Sequence, residues 1–332
     1  MKYSNLGSTG IKVSNLCLGM MSFGNSQKWH LEIEDAKPIV DYALDNGINF
    51  FDTANVYSNG RSEEITGELL QDHRDDVVIA TKVRFEMNNG INDKGLSRYH
   101  IKREIKNSLD RLKMDFIDLY QIHRLDYSLD MEILMRNMNH LIDEGSALHI
   151  GASSMFGWEL VKAQSIAEKY GLEKFSTMQN HYNAIYREEE REVIPACMDM
   201  KMGIIPWSPL ARGFLSGKYS GKKSTESRFK SDPYLKKRYF HENDFEVLGI
   251  IKECAKENDI SVAQMSLKWV LSQKGITSPI IGITKLNQLK EAIEVSEMNI
   301  DKDYINRISA EYSVRPIIGH SYNQPDQMIN EA

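Results

Sequence analysis

Four polar side chains follow short apolar runs in the first half of the chain, and their types suggest a shared task. Phe50-Phe51 leads into Asp52 and then Tyr57, Ile79-Ala80-Thr81 ends on Lys82, and Gln121-Ile122 ends on His123. A tyrosine, with an ordinary pKa near ~10, is a poor proton donor at neutral pH, but an adjacent ammonium stabilises the phenolate and lowers that value. Lys82 supplies such a charge, Asp52 would keep it charged and in place, and His123 would hydrogen-bond a substrate oxygen. The set is machinery for proton transfer to a carbonyl oxygen. Taken singly, each has an ordinary reading as a helix cap, a solvated amine or a satisfied structural histidine.

Only a fold that gathers strand ends can bring these residues together. Eight short apolar runs, at residues 16–18, 48–51, 77–80, 116–122, 149–152, 177–179, 204–207 and 279–281, alternate with helical stretches. Most are continuous rather than alternating, as in strands covered on both faces, and the order implies βα units and a parallel sheet. Ala36, Ile39, Val40 and Ala43 make one helical stripe, closed by Gly47; Ile101, Ile105, Ser108, Leu109 and Leu112 make another. Val262, Met265, Leu267, Trp269 and Val270 suggest a helix buried on more than one side. About 75 residues separate the seventh run from the eighth, with a polar loop at 216–232 and an extra helix near 244–256. That loop is a candidate lid. The pattern suits a single (β/α)₈ barrel domain over residues 1–332. In such a barrel, reactive groups sit at the carboxyl ends of the strands.

Composition narrows the field further. With 41% hydrophobic and 27% charged residues, the 332-residue chain can bury a sizeable core, and its net charge of −6 gives no general attraction to nucleic acid or anionic lipid. The three scattered cysteines, Cys17, Cys197 and Cys254, offer neither a disulfide framework nor a metal-binding spacing. No signal-peptide core or membrane-length apolar run is visible, so a cytoplasmic location is expected.

A proton donor alone reduces nothing, so a hydride source is needed. No G-x-G occurs, which removes the Rossmann fingerprint, and Gly213-Phe214-Leu215-Ser216-Gly217-Lys218 is one residue short of a P-loop. What remains is the phosphate site that barrels form from the loops after strands seven and eight. Ser208, Leu210, Arg212, Ser216 and Lys218 follow the seventh run, and Thr284 and Lys285 precede a helix beginning near Asn287. Backbone amides at a helix start, with Lys and Arg, make an anion site.

These residues resemble the aldo-keto reductases over residues 3–318. Gly47-Ile48-Asn49-Phe50-Phe51-Asp52-Thr53-Ala54, Tyr57 and Gly60-Arg61-Ser62-Glu63-Glu64 are similar to the family's first signature, and Gln121-Ile122-His123 and Gly151-Ala152-Ser153-Ser154 to its later ones. The resemblance implies a (β/α)₈ TIM barrel closed at the bottom by an N-terminal hairpin at 3–13, a tetrad of Asp52, Tyr57, Lys82 and His123 with Tyr57 as general acid, and reduction of a small-molecule carbonyl substrate by NADPH, with NADP as the cofactor and NAD possible. The implied nucleotide site comprises Gly19, Met20, Met21 and Asp52, Ser153, Ser154 and Gln179 around the nicotinamide amide, and Trp207 stacked on its ring. Ser208, Pro209, Leu210, Arg212, Gly213 and Lys218 would cover the pyrophosphate, with Gly282, Thr284, Lys285, Gln288 and Glu291 toward the adenosine end. Gln288 stands where many members place Arg for the 2′-phosphate, and Ala292 where they place Asn. The resemblance is greatest to a bacterial and archaeal branch of small-aldehyde reductases, whose wider group includes potassium-channel β-subunits. A nucleotide-binding regulatory subunit with slow redox chemistry is therefore an alternative, and an aldolase using Lys82 as a Schiff base is another. Trp29, Met21, Phe85, Met87, Tyr127 and Phe156 are expected to line the substrate pocket, with Arg124 beside His123 as a site for an anionic group.

Overall fold

A computed structural model describes residues 1–219 and 233–315. Most of the loop expected as a lid, from residue 220 onward, lies outside the described residues, as does the end of the expected family match beyond Arg315.

Two short strands, β1 (Tyr3–Asn5) and β2 (Lys12–Ser14), pair antiparallel as a hairpin. Eight parallel strands follow: β3 (Cys17–Gly19), β4 (Phe50–Asp52), β5 (Val78–Val83), β6 (Ile117–Ile122), β7 (Ala147–Ser153), β8 (Thr177–Gln179), β9 (Gly203–Ile204) and β10 (Ile280–Gly282). They are hydrogen-bonded in sequence order from β3 to β9, and β10 returns to pair with β3. The ring closes where the Ile280 N–H donates to Pro206 O at 2.9 Å and Trp207 bridges to Ile280. The run expected at 204–207 is regular only at its start, because Pro206 has no N–H to offer a ladder.

Helices cover the outside: α1 (Ile33–Asp45), α2 (Arg61–Leu70), α3 (Arg98–Leu112), α4 (Met131–Asp143), α5 (Gly157–Tyr170), α6 (Val193–Asp199), α7 (Pro233–Arg238), α8 (Glu242–Glu257), α9 (Val262–Leu271), α10 (Leu286–Glu297) and α11 (Lys302–Ala310). The stripe Ala36, Ile39, Val40 and Ala43 is buried on α1, and Gly47, at φ +82°, turns the chain toward β4. On α3, Ile101, Ile105, Ser108 and Leu112 face inward while the Ser97 hydroxyl accepts from the His100 N–H at 3.2 Å. The extra helix is α8, and α9 buries Met265, Leu267, Trp269 and Val270. No helix among the described residues is long and apolar enough to cross a membrane.

Inside the ring, Cys17, Phe50, Val78, Ala80, Leu119, Ile205 and Ile280 form an apolar plug, sealed from below by Leu6, Ile11 and Val13 of the hairpin. The hairpin fits because Gly7, at φ +60°, lacks a Cβ that would sit 2.6 Å from Ser176 O. Side chains alternate along a strand, so Asp52 follows Phe50 onto the inner row, Lys82 follows Ala80, and Gln121 follows Leu119. The apolar lower layer thus dictates that a polar layer stands above it, at the carboxyl ends of the strands.

Candidate active site

Lys82 is fully buried, and all three ammonium protons have acceptors: Asp52 Oδ1 at 2.5 Å, Thr53 O at 2.7 Å and the Tyr57 hydroxyl at 3.5 Å. The other Asp52 oxygen accepts from Gln179 Nε2 at 2.8 Å and Gln121 Nε2 at 3.1 Å. Gly151 makes room for Gln121, since a Cβ there would meet the Gln121 Cγ at 3.0 Å and the Thr177 hydroxyl at 2.4 Å. The His123 ring meets Tyr57 edge-on at 5.7 Å and Phe85 at 4.8 Å, and its Nδ1 is buried without a hydrogen-bond partner. The four residues singled out from the sequence therefore converge on one mouth.

Their electrostatics differ from expectation at one point. Burial holds the Tyr57 phenol above its ordinary value; Lys82 pulls it down but does not prevail, and Asp52 adds to the rise. A net lowering by Lys82 was expected, and desolvation outweighs it. Burial likewise pulls Lys82 down, but Asp52 and Tyr57 more than offset this and keep the ammonium charged. His123 lies well below the usual imidazole value because of burial and then the charges of Lys82, Arg124 and Arg84, so the ring is neutral.

Ser153 ends β7, and its hydroxyl lies 3.4 Å from that of Ser154. Trp207 donates from Nε1 to the Ser154 hydroxyl at 3.2 Å, and its ring stacks on His181 at 4.2 Å with an interplanar angle of 5°. His181 stacks in turn on Tyr186, and its Nε2 lies 2.7 Å from the Tyr239 hydroxyl. Burial first, then Arg238, Arg212, Arg124 and Arg315, keep His181 well below its ordinary pKa. His181 was not singled out from the sequence, although it lies two residues past the end of β8, the kind of position that identified His123. Gln121 was quoted only as part of a signature, and its hold on Asp52 appears only in three dimensions.

After β9 the chain turns irregularly, with positive φ at Ser208, Ala211, Arg212, Gly213 and Gly217. The N–H groups of Ala211, Gly213, Leu215 and Gly217 donate to backbone carbonyls within this same turn, so its cations rather than a row of bare amides are what it offers an anion. Lys218 follows as an exposed residue, while Gly19 and Gly282 end neighbouring strands beside Met20 and Met21. At α10 the arrangement departs from expectation. The Gln288 Oε1 already accepts from the backbone N–H groups of Thr284 and Lys285, at 3.0 and 3.1 Å, as a helix cap. Glu291 is likewise committed, accepting from the Ser261 hydroxyl at 2.9 Å. The Lys285 side chain remains exposed beside them.

A buried charge network holds the loop that carries Tyr57. Asn55 donates to Glu104 at 3.0 Å, and Arg111 pairs with Glu63 at 2.6 Å while lying 3.9 Å from Glu104. Thr81, next to Lys82, donates to Glu63 at 2.5 Å.

A sequence model of the aldo/keto reductase family matches residues 15–312. The chain is 36% identical to a versiconal hemiacetal acetate reductase of Aspergillus parasiticus, covering 96% of this chain and 98% of that protein. It is also 36% identical to an aldo-keto reductase of Metarhizium robertsii, over 96% of this chain and 93% of the other. A rice protein described as a "probable voltage-gated potassium channel subunit beta" is 37% identical over 97% of this chain and its own full length.

Proposed function

The chain belongs to the aldo/keto reductase family, and from that premise we propose that it is an NADPH-dependent reductase of aldehydes or ketones, reversible toward alcohols. The observation that carries the reading is the Tyr57 hydroxyl beside a fully charged, fully paired Lys82, next to a neutral His123. The residues present fit a nicotinamide nucleotide: Ser153, Ser154 and Gln179 offer polar groups for the carboxamide, and Trp207, held by His181 and Ser154, offers a fixed ring. Arg212 and Lys218, on the loop after β9, supply the cations for the pyrophosphate. When bound, the reduced nicotinamide supplies a hydride to the carbonyl carbon. Tyr57 gives its proton to the carbonyl oxygen, His123 hydrogen-bonds that oxygen, and Lys82 stabilises the phenolate left behind. Asp52, fixed by Gln121 and Gln179, keeps Lys82 aimed at Tyr57.

Because Gln288 occupies the amides at the start of α10, discrimination for the 2′-phosphate falls to the Lys285 side chain, and NADH is accepted as a second donor. The cytoplasm expected from the sequence is the working compartment. An aldolase is disfavoured, since a Schiff base needs a neutral amine and Lys82 is held as an ammonium. Similarity to the rice protein keeps a regulatory-subunit reading in view. Steady-state NADPH oxidation with simple aldehydes decides between the two: repeated turnover supports the reductase, and one slow turnover with the nucleotide retained overturns it.

A further inference from the structure

The residues behind Trp207 give a task to the chain inserted between β9 and β10, an inference that rests on the reductase reading. His181 and Trp207 are bridged in parallel just past the ends of β8 and β9, and the Trp207 N–H donates to the Asn180 carbonyl at 2.9 Å. Paired residues on neighbouring strands project to one face about 4.8 Å apart, which is why the two rings lie flat on each other at 4.2 Å. A turn of the imidazole about its Cβ–Cγ bond would tip it off the indole. Hydrogen bonds at the ring edge oppose that turn.

The Asn183 amide has a settled orientation, since its Oδ1 accepts the Ile185 N–H at 3.1 Å and its Nδ2 donates to the Ser208 carbonyl at 3.0 Å. The same Nδ2 lies 3.3 Å from His181 Nε2, and a neighbour with only N–H groups to offer makes Nε2 an acceptor. The imidazole proton is therefore on Nδ1, which is buried with no hydrogen-bond partner. The ring is held through Nε2, and its short bond there, 2.7 Å, is to the Tyr239 hydroxyl. Burial raises the Tyr239 phenol to about 12, so it stays protonated and donates.

Tyr239 comes from the inserted chain, between α7 and the extra helix α8. Its ring stacks on Phe214 of the loop after β9 at 6.4 Å, and Phe240 and Phe245 meet the same Phe214 edge-on. Phe240 has φ +78°, a left-handed backbone that a bulky side chain adopts only under constraint, and this strain sits one residue from the phenol. We propose that Tyr239 is a positioning residue for hydride transfer: its hydroxyl fixes the His181 ring, and His181 fixes the plane of Trp207 against which the nicotinamide rests. The inserted segment thereby reaches the reacting centre through two side chains.

The test is Tyr239→Phe, which keeps the ring against Phe214 and removes the hydroxyl. Single-turnover oxidation of NADPH by benzaldehyde should slow about fivefold, the scale of one hydrogen bond, while the steady-state KM for the aldehyde stays within about twofold. Added NADP should quench the emission of Trp207 less than in the wild-type protein, with Trp207→Phe giving the share of the other tryptophans. His181→Phe, which can stack but accepts no hydrogen bond, should show the same two losses, and Tyr239→Phe should add nothing further in that background. An unchanged hydride step, unchanged quenching, or losses that add in the double variant overturn the proposal while leaving the reductase reading intact. A wild-type protein that turns over no aldehyde overturns the reductase reading instead, and the quenching comparison then decides the role of Tyr239 by itself.

Discussion

At the scale of single residues, the protonation states are set by which group wins a contest of burial against charge. Tyr57 stands above its ordinary value of 10, because desolvation exceeds the pull of Lys82, and His123 stands well below its own. A proton donor must be protonated to act, so the reductive kcat/KM should hold level from pH 6 to pH 9 and decline only as Tyr57 ionises, above pH 10. Neither group titrates in the neutral range, and a sigmoidal fall centred near pH 7 would contradict this assignment. The chemical types of the four residues were readable from the sequence because Asp52, Lys82 and His123 stand at the ends of apolar strands and Tyr57 follows Asp52 by five residues. The direction of the phenol shift was not, since it depends on how thoroughly the ring is desolvated and no spacing reports that. Gln288 was hidden for a similar reason: a glutamine three residues into a helix can meet a ligand or fold back onto its own cap, and the second occurs here.

At the scale of elements, the position of Tyr57 depends on charges between helices. Arg111 of α3 reaches Glu63 of α2 and lies near Glu104, whose carboxylate holds Asn55 in the loop before Tyr57. Glu63 and Glu104 are both fully buried; Glu104 keeps Arg103 at 3.6 Å, but removing Arg111 takes the ion-pair partner from Glu63 and leaves its charge uncompensated. Arg111→Met should therefore cost about 3–5 kcal/mol in chemical unfolding. It should also lower kcat on an aldehyde more than it weakens NADPH binding, because the loop it steadies carries the proton donor. A loss of stability under about 1 kcal/mol would show that these charges contribute little. Helix positions were legible from stripes such as Ala36, Ile39, Val40 and Ala43, because a repeat of about 3.6 residues survives in a single sequence. The charge network was not, since its bonded partners are up to 49 positions apart and only the packing of α2 on α3 joins them.

At the scale of the whole molecule, the barrel converts sequence order into a circle. Asp52, Lys82, His123, Ser153 and Gln179 come from five successive strands, and the inner-row alternation that buries Phe50, Ala80 and Leu119 below also lifts the polar residues above. The number and order of strands were legible because each run is short, apolar and flanked by helical patterns. Ring closure was less so, since Pro206 interrupts the β9 ladder and leaves an isolated bridge at Trp207. The proton donor stands in the loop after β4, whereas the proposed phosphate site stands on the loops after β9 and β10, so chemistry and nucleotide binding should be separable by one atom. The deciding measurement is Tyr57→Phe, followed by aldehyde-dependent NADPH oxidation and by nucleotide titration of the same sample. The account predicts that turnover falls by at least about a hundredfold, the scale of general acid catalysis, while NADPH affinity stays within about twofold. A variant that retains most of its turnover would contradict it.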